Sequence, residues 1–130
     1  MILAASYGHV EVLHQLIANQ ADVNSKTTEG FTALIEAAKN GNKEIVSFLI
    51  ENGADVNSTA NDGYTALMLA ARNGKVEIVS LLIENRADVN SKGDDGSTAL
   101  SIAEKRGHKE LVNLLTKNGA RNFSLADLIN

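Results

Sequence analysis

The chain has 130 residues, a formal net charge of −4, no cysteine and only 4% aromatic residues. A net acidic balance without a basic run argues against the phosphate neutralisation on which non-specific nucleic-acid binding rests. The absence of thiols excludes a disulfide frame and a thiolate metal site. No run of about 18 apolar residues marks a membrane span, and Met1-Ile2-Leu3-Ala4-Ala5 lacks the basic leader and long apolar core of a signal peptide. The expected compartment is therefore intracellular and cytoplasmic.

From the N-terminus onward, the same signals return at one spacing. Gly8, Gly41, Gly74 and Gly107 lie 33 residues apart, as do Gly30, Gly63 and Gly96, and the run Ala21-Asp22-Val23-Asn24 recurs at Ala54-Asp55-Val56-Asn57 and Ala87-Asp88-Val89-Asn90. A fixed period of this length marks an array of one supersecondary unit, and such arrays present surfaces more often than they perform chemistry. The units divide as a partial repeat over 1–24 and full repeats over 25–57, 58–90 and 91–122. About two-thirds of positions are identical between 25–57 and 58–90, which suits recent duplication and design equally.

Within the unit at 58–90, Thr65 is a good N-cap for a helix over residues 64–73 that closes on Gly74. A second helix is predicted over residues 76–85, where Ile78, Val79, Leu81, Leu82 and Ile83 form a broad apolar face and Glu77 lies in the first turn, favoured by the helix dipole. The polar segment from Ala87 to Gly96 carries the turn signal Asp95-Gly96, matched by Asn61-Asp62-Gly63 and Thr28-Glu29-Gly30. These segments read as short β-hairpin-like fingers. Each unit is thus finger, helix, turn, helix. Two short helices cannot bury an apolar face alone, so neighbouring units must stack. Small residues at Ala4-Ala5, Ala37-Ala38 and Ala70-Ala71 permit close helix approach.

The two ends differ. In the last unit Glu104 replaces Ala38 and Ala71, and Thr116 replaces Ile50 and Ile83, which makes an outer face polar as a terminal repeat requires. Ser124-Leu125-Ala126-Asp127-Leu128-Ile129 carries a capping-box pattern, so residues 123–130 are expected to form a capping helix over the end of the stack. At the start, Met1 aligns with Leu34 and Val12 stays apolar like Ile45, Ile78 and Leu111. The expectation is that the chain is a piece of a longer protein, and otherwise a monomer.

Chemistry finds little support. His9 and His108 hold equivalent positions three repeats apart, too distant to share a metal or a proton, and His9 and His14 point to different sides of a helix. These histidines read as surface or turn-supporting groups. Gly74-Lys75 does not open a phosphate loop, since Leu69 stands where the leading glycine is needed and Val76 where Ser or Thr is needed. Glu44, Glu77 and Glu110 are one position repeated, as are Asp22, Asp55 and Asp88, whereas an acid/base pair needs two different environments. No metal or cofactor is expected. Two glycosylation patterns, Asn57-Ser58-Thr59 and Asn122-Phe123-Ser124, are of a kind that arises often by chance.

The pattern Asp62-Gly63-Tyr64-Thr65-Ala66-Leu67, Ala70-Ala71-Arg72-Asn73-Gly74, Glu77-Ile78-Val79, Leu82-Ile83 and Ala87-Asp88-Val89-Asn90 resembles the ankyrin repeat, and it recurs in phase over about residues 1 to 122. The departures are the family's Thr-Pro-Leu-His, which reads Thr32-Ala33-Leu34-Ile35, Thr65-Ala66-Leu67-Met68 and Thr98-Ala99-Leu100-Ser101 here. Loss of a pre-organised proline should cost about 0.5–1 kcal/mol per repeat. The resemblance implies an all-α repeat solenoid of helix-turn-helix pairs linked by fingers. It also implies a non-enzymatic module that binds a protein partner, and neither nucleic acid nor membrane, through finger tips and the concave face of the first helices. Carried over by position, that surface comprises Lys26, Thr28, Glu29, Phe31, Lys39 and Asn40. From the next unit come Thr59, Asn61, Asp62, Tyr64, Arg72 and Asn73, and from the last Lys92, Asp94, Asp95, Ser97, Lys105 and Arg106.

These positions vary among the copies while the framework is nearly constant. Phe31 and Tyr64, on adjacent fingers, either anchor a partner or pack locally against the next finger. Glu29, Asp62, Asp94 and Asp95 lie on fingers, and Lys39, Arg72, Lys105 and Arg106 at the ends of first helices. Such a strip suits a partner of both signs, and the cations also complement the helix dipole. The alternatives are a regulatory segment of a larger enzyme or channel, and a designed or consensus-like scaffold with no natural partner.

Overall fold

Three buried threonines start three of the helices. Thr32, Thr65 and Thr98 each accept the backbone N–H three residues on, from Ile35, Met68 and Ser101, and so satisfy one orphan donor per helix. Ser101 also returns a bond to the Thr98 backbone N–H, closing a reciprocal cap. In the computed structural model, which describes residues 1–121, the elements follow in pairs. They are α1 (Ile2–Ser6) with α2 (Val10–Ala18), α3 (Ala33–Asn40) with α4 (Lys43–Glu51), α5 (Ala66–Arg72) with α6 (Val76–Glu84), and α7 (Ala99–Lys105) with α8 (Lys109–Lys117). The capping helix expected over 123–130 lies outside the described residues.

Within each pair the chain reverses through a glycine; Gly74, at φ 70°, adopts the left-handed conformation that L side chains resist. The first helices α1, α3, α5 and α7 form one layer and the second helices the other. Substantial helix contacts join either the two members of a pair or neighbours in successive pairs. Distant pairs share no common centre, which is the arrangement of a solenoid. The first-helix layer is the tighter one because its contact positions are alanines: Ala37, Ala38, Ala70 and Ala71 are fully buried. Behind them Leu13, Ile45, Val46, Leu49, Val79, Leu82, Leu111 and Leu115 are likewise sealed from solvent. Each such side chain contributes about 1.5–3 kcal/mol of burial, which explains how short helices of low aromatic content hold together.

The ends of the stack show their asymmetry in exposure. Val12 is 46% exposed, whereas Ile45, Ile78 and Leu111 at the same unit position are at most 2% exposed. Leu3 and Tyr7 are also open. At the other end Glu104 and Thr116 are exposed, where Ala38 and Ala71 are buried and Ile50 and Ile83 half-buried.

The fingers are tighter than hairpins. Each is a turn closed by two backbone bonds: Thr27 N–H to Phe31 O with Gly30 N–H to Thr27 O, Ala60 N–H to Tyr64 O with Gly63 N–H to Ala60 O, and Gly93 N–H to Ser97 O with Gly96 N–H to Gly93 O. An isolated antiparallel bridge pairs Thr59 with Thr65, and no strand is formed among the described residues. Backbone bonds run from finger to finger, Asn61 N–H to Glu29 O at 2.9 Å and Asp94 N–H to Asp62 O at 2.8 Å. A Cβ on Gly30 would lie 2.7 Å from the Asn61 nitrogen, so the first of these approaches requires glycine.

Candidate functional site

The face built from the fingers and the exposed ends of α3, α5 and α7 divides into groups that hold the array and groups that do not. Asparagines do most of the holding. Asn24 donates to Gly53 O and accepts from Asp55 N–H; Asn57 and Asn90 repeat the pattern on Arg86 O with Asp88 N–H, and on Gly119 O with Arg121 N–H. A single amide side chain thereby satisfies a donor and an acceptor of the next unit. The sequence shows these asparagines as periodic, but only the stack reveals their partners.

Several finger residues expected to meet a partner are engaged within the array. Lys26 Nζ donates to Thr59 O at 2.9 Å, and Asn61 Nδ2 to Thr28 O at 2.7 Å. Asp62 Oδ1 accepts the Tyr64 N–H in a local turn. Glu29 is exposed, and its carboxyl is held below the usual value by a backbone N–H of its own turn and by the hydroxyls of Thr27 and Thr28. Asp94 is exposed beside Gly63. Phe31 and Tyr64 are half-buried and packed on the core. The Tyr64 hydroxyl donates to Asp95 Oδ2 at 2.8 Å, while Asp95 Oδ1 accepts the Ser97 N–H at 3.0 Å.

The cations behave differently. Lys39 and Arg72 are half-buried, Lys105 and Arg106 exposed. The side chains of these four make no hydrogen bond or ion pair with the described residues. Arg72, Lys105 and Arg106 converge on a shallow recess of about 220 Å³ that Tyr64, Asp95, Ser97 and Ile102 complete. Ile102 was not singled out by sequence; its equivalence to Leu69 marks it as framework, and only the recess shows its edge.

The opposite face is of another kind. Wider recesses of about 510 and 450 Å³ run between the second helices, lined by apolar stems such as Leu81 and Leu114, by the ring of Phe48, and by repeated glutamates. Lys43 and Glu77 pair there at 3.5 Å, with side chains 57% and 78% exposed, and solvent reduces such a pair to about 1 kcal/mol or less. The His14 ring meets Phe48 at a 45° tilt with centroids 4.0 Å apart, His9 lies near Tyr7, and His108 Nε2 lies 3.1 Å from Arg72 O. Each histidine thus has a local contact. Among the described residues no three His, Asp or Glu side chains gather as metal ligands, and no helix is long and apolar enough to cross a membrane.

A family model described as ankyrin repeats, in three copies, matches residues 1–93 and 54–127. No curated protein matches the chain.

Proposed function

The chain belongs to the ankyrin repeat family, a class of modules that generally bind other proteins, and from that premise we propose that it binds a protein partner through its fingers and the exposed ends of α3, α5 and α7, without catalysis. One observation carries this reading. The asparagines and finger backbones satisfy one another, whereas Lys39, Arg72, Lys105 and Arg106 have side chains with no hydrogen-bond or ion-pair partner among the described residues. A framework already closed by its own bonds orders little on binding, so more of the contact energy is retained as affinity. Phe31, half-buried with no polar tip, supplies apolar contact on its own finger. Glu29, Asp62 and Asp94 give the tips the opposite sign, which fits a partner bearing both charges.

The experiment is a retention assay with the immobilised chain, its Phe31→Ala/Tyr64→Ala form and a heat-denatured control, with helicity checked by circular dichroism. Proteins retained by the intact chain and lost from the double variant are the expected result. If the intact chain retains nothing beyond the denatured control, the reading fails.

A further inference from the structure

Arg106 stands where the two preceding units carry asparagine. Asn40 Nδ2 donates to Ser6 O at 3.0 Å and Asn73 Nδ2 to Lys39 O at 2.8 Å, so each of these first helices is pinned to the end of the one before. In the last pair that duty has moved. Arg72 O lies 3.1 Å from His108 Nε2 instead, and a carbonyl only accepts, so Nε2 carries the hydrogen. The exchange leaves the Arg106 guanidinium exposed and, like Arg72 and Lys105 beside it, without a hydrogen-bond or ion-pair partner among the described residues.

These three cations share a recess of about 220 Å³ with a single carboxylate, Asp95. Both Asp95 oxygens already accept hydrogen bonds, from the Tyr64 hydroxyl and the Ser97 N–H. The recess therefore holds an excess of positive charge and arginine N–H donors that meet no acceptor among the described residues. We propose that it receives a carboxylate side chain of the bound protein. This deepens the protein-binding reading and rests on it.

Size and surroundings narrow the ligand. Sites for drug-sized molecules run to about 300–1,000 Å³; this one suits a side chain. An arginine fork matches a carboxylate bidentately. A polyanionic backbone continuing along the face would meet Glu29, Asp62 and Asp94 on the fingers, so the fitting segment carries its acid locally, with basic or neutral neighbours.

The test is an NMR titration of the full chain with a short peptide holding a glutamate pair between lysines, and with its glutamine-pair counterpart. The glutamate peptide is expected to bind about tenfold more tightly, as a charge-assisted hydrogen bond implies, and to shift the amides of Ser97, Lys105 and Arg106. Arg72→Gln/Arg106→Gln should erase that preference, while Lys43→Gln/Lys75→Gln, away from the recess, should keep it. Equal binding of the two peptides, no binding of either, or the same loss in both variants would overturn the proposal. A phosphoserine peptide binding where the glutamate peptide shows no preference would overturn it in favour of phosphate. If Phe31→Ala/Tyr64→Ala loses the retained proteins while Arg72→Gln/Arg106→Gln keeps them, protein binding stands and the carboxylate recess falls.

Discussion

The Tyr64 hydroxyl reaches across to the following finger and donates to Asp95 Oδ2 at 2.8 Å. Its ring lies against backbone, since a Cβ on Gly93 would stand 2.5 Å from Tyr64 Cε1. The bond favours ionised Asp95 and neutral Tyr64. The Ser97 backbone N–H and then the Tyr64 hydroxyl hold Asp95 below its ordinary 3.8. For Tyr64, hydrogen bonding with Ser97 pulls its pKa down, but burial, the bond to Asp95, and the charges of Asp95 and Asp62 together raise it above its ordinary 10.0. A depressed carboxyl stabilises the fold above its unfolded pKa and loses that contribution as pH falls; a raised phenol stabilises below its unfolded pKa and loses it as pH rises. The difference in Tm between the chain and Tyr64→Phe should therefore be constant from about pH 5 to 9, narrowing below the ordinary Asp value and above the ordinary Tyr value. Melting curves by circular dichroism will show it; a difference unchanged into strong acid removes the Asp95 bond as its source.

Asn57 ties two units by donating to Arg86 O at 3.1 Å and accepting from Asp88 N–H at 2.7 Å. Asn57→Ala should lose both bonds and cost about 1–2 kcal/mol. Asn57→Asp keeps the acceptor and sets a carboxylate against the Arg86 carbonyl, so it should recover little. Urea titration compares the variants; an Asp variant as stable as the parent would mean that the donor half of the contact has no weight.

Helix pairs, caps and turns were legible because each is local: a threonine three residues before the N–H it caps, a glycine where the backbone needs positive φ. The finger contacts were legible only in part. The sequence allowed Tyr64 either to anchor a partner or to pack on the next finger, and its hydroxyl is held by Asp95 across the stack. Asn24, Asn57 and Asn90 repeat visibly, yet their partners come from the following unit and depend on how successive units are set against each other. The recess was hidden for the same reason, since it joins Tyr64 and Arg72 of one unit to Asp95, Lys105 and Arg106 of the next.

His108 and Arg106 share one structural debt, the Arg72 carbonyl, and only the histidine meets it. His108→Ala should cost about 0.5–1.5 kcal/mol, the worth of one net hydrogen bond. Arg106→Asn alone should be nearly neutral, but in the His108→Ala background it should restore most of the loss, because an asparagine there can bond as Asn73 does to Lys39 O. A double-mutant cycle by chemical denaturation measures the coupling. Strict additivity would show that the two sites do not serve the same carbonyl.

Val12 and Ile45 occupy one position of the unit but not one environment: Val12 is 46% exposed and Ile45 fully buried. A buried isoleucine truncated to alanine loses its transfer energy and leaves a cavity, about 2–5 kcal/mol in all. An exposed valine loses little of either, about 0.5 kcal/mol or less. Ile45→Ala should thus lower the urea midpoint sharply and Val12→Ala hardly at all. The denaturant slope adds a second readout, since it scales with the surface exposed in the transition. An unchanged slope in Ile45→Ala means that the array still unfolds as a unit, whereas a shallower slope means that the units have begun to fray separately. Equal losses for the two variants would show that stacking on a preceding pair of helices is not what buries this position.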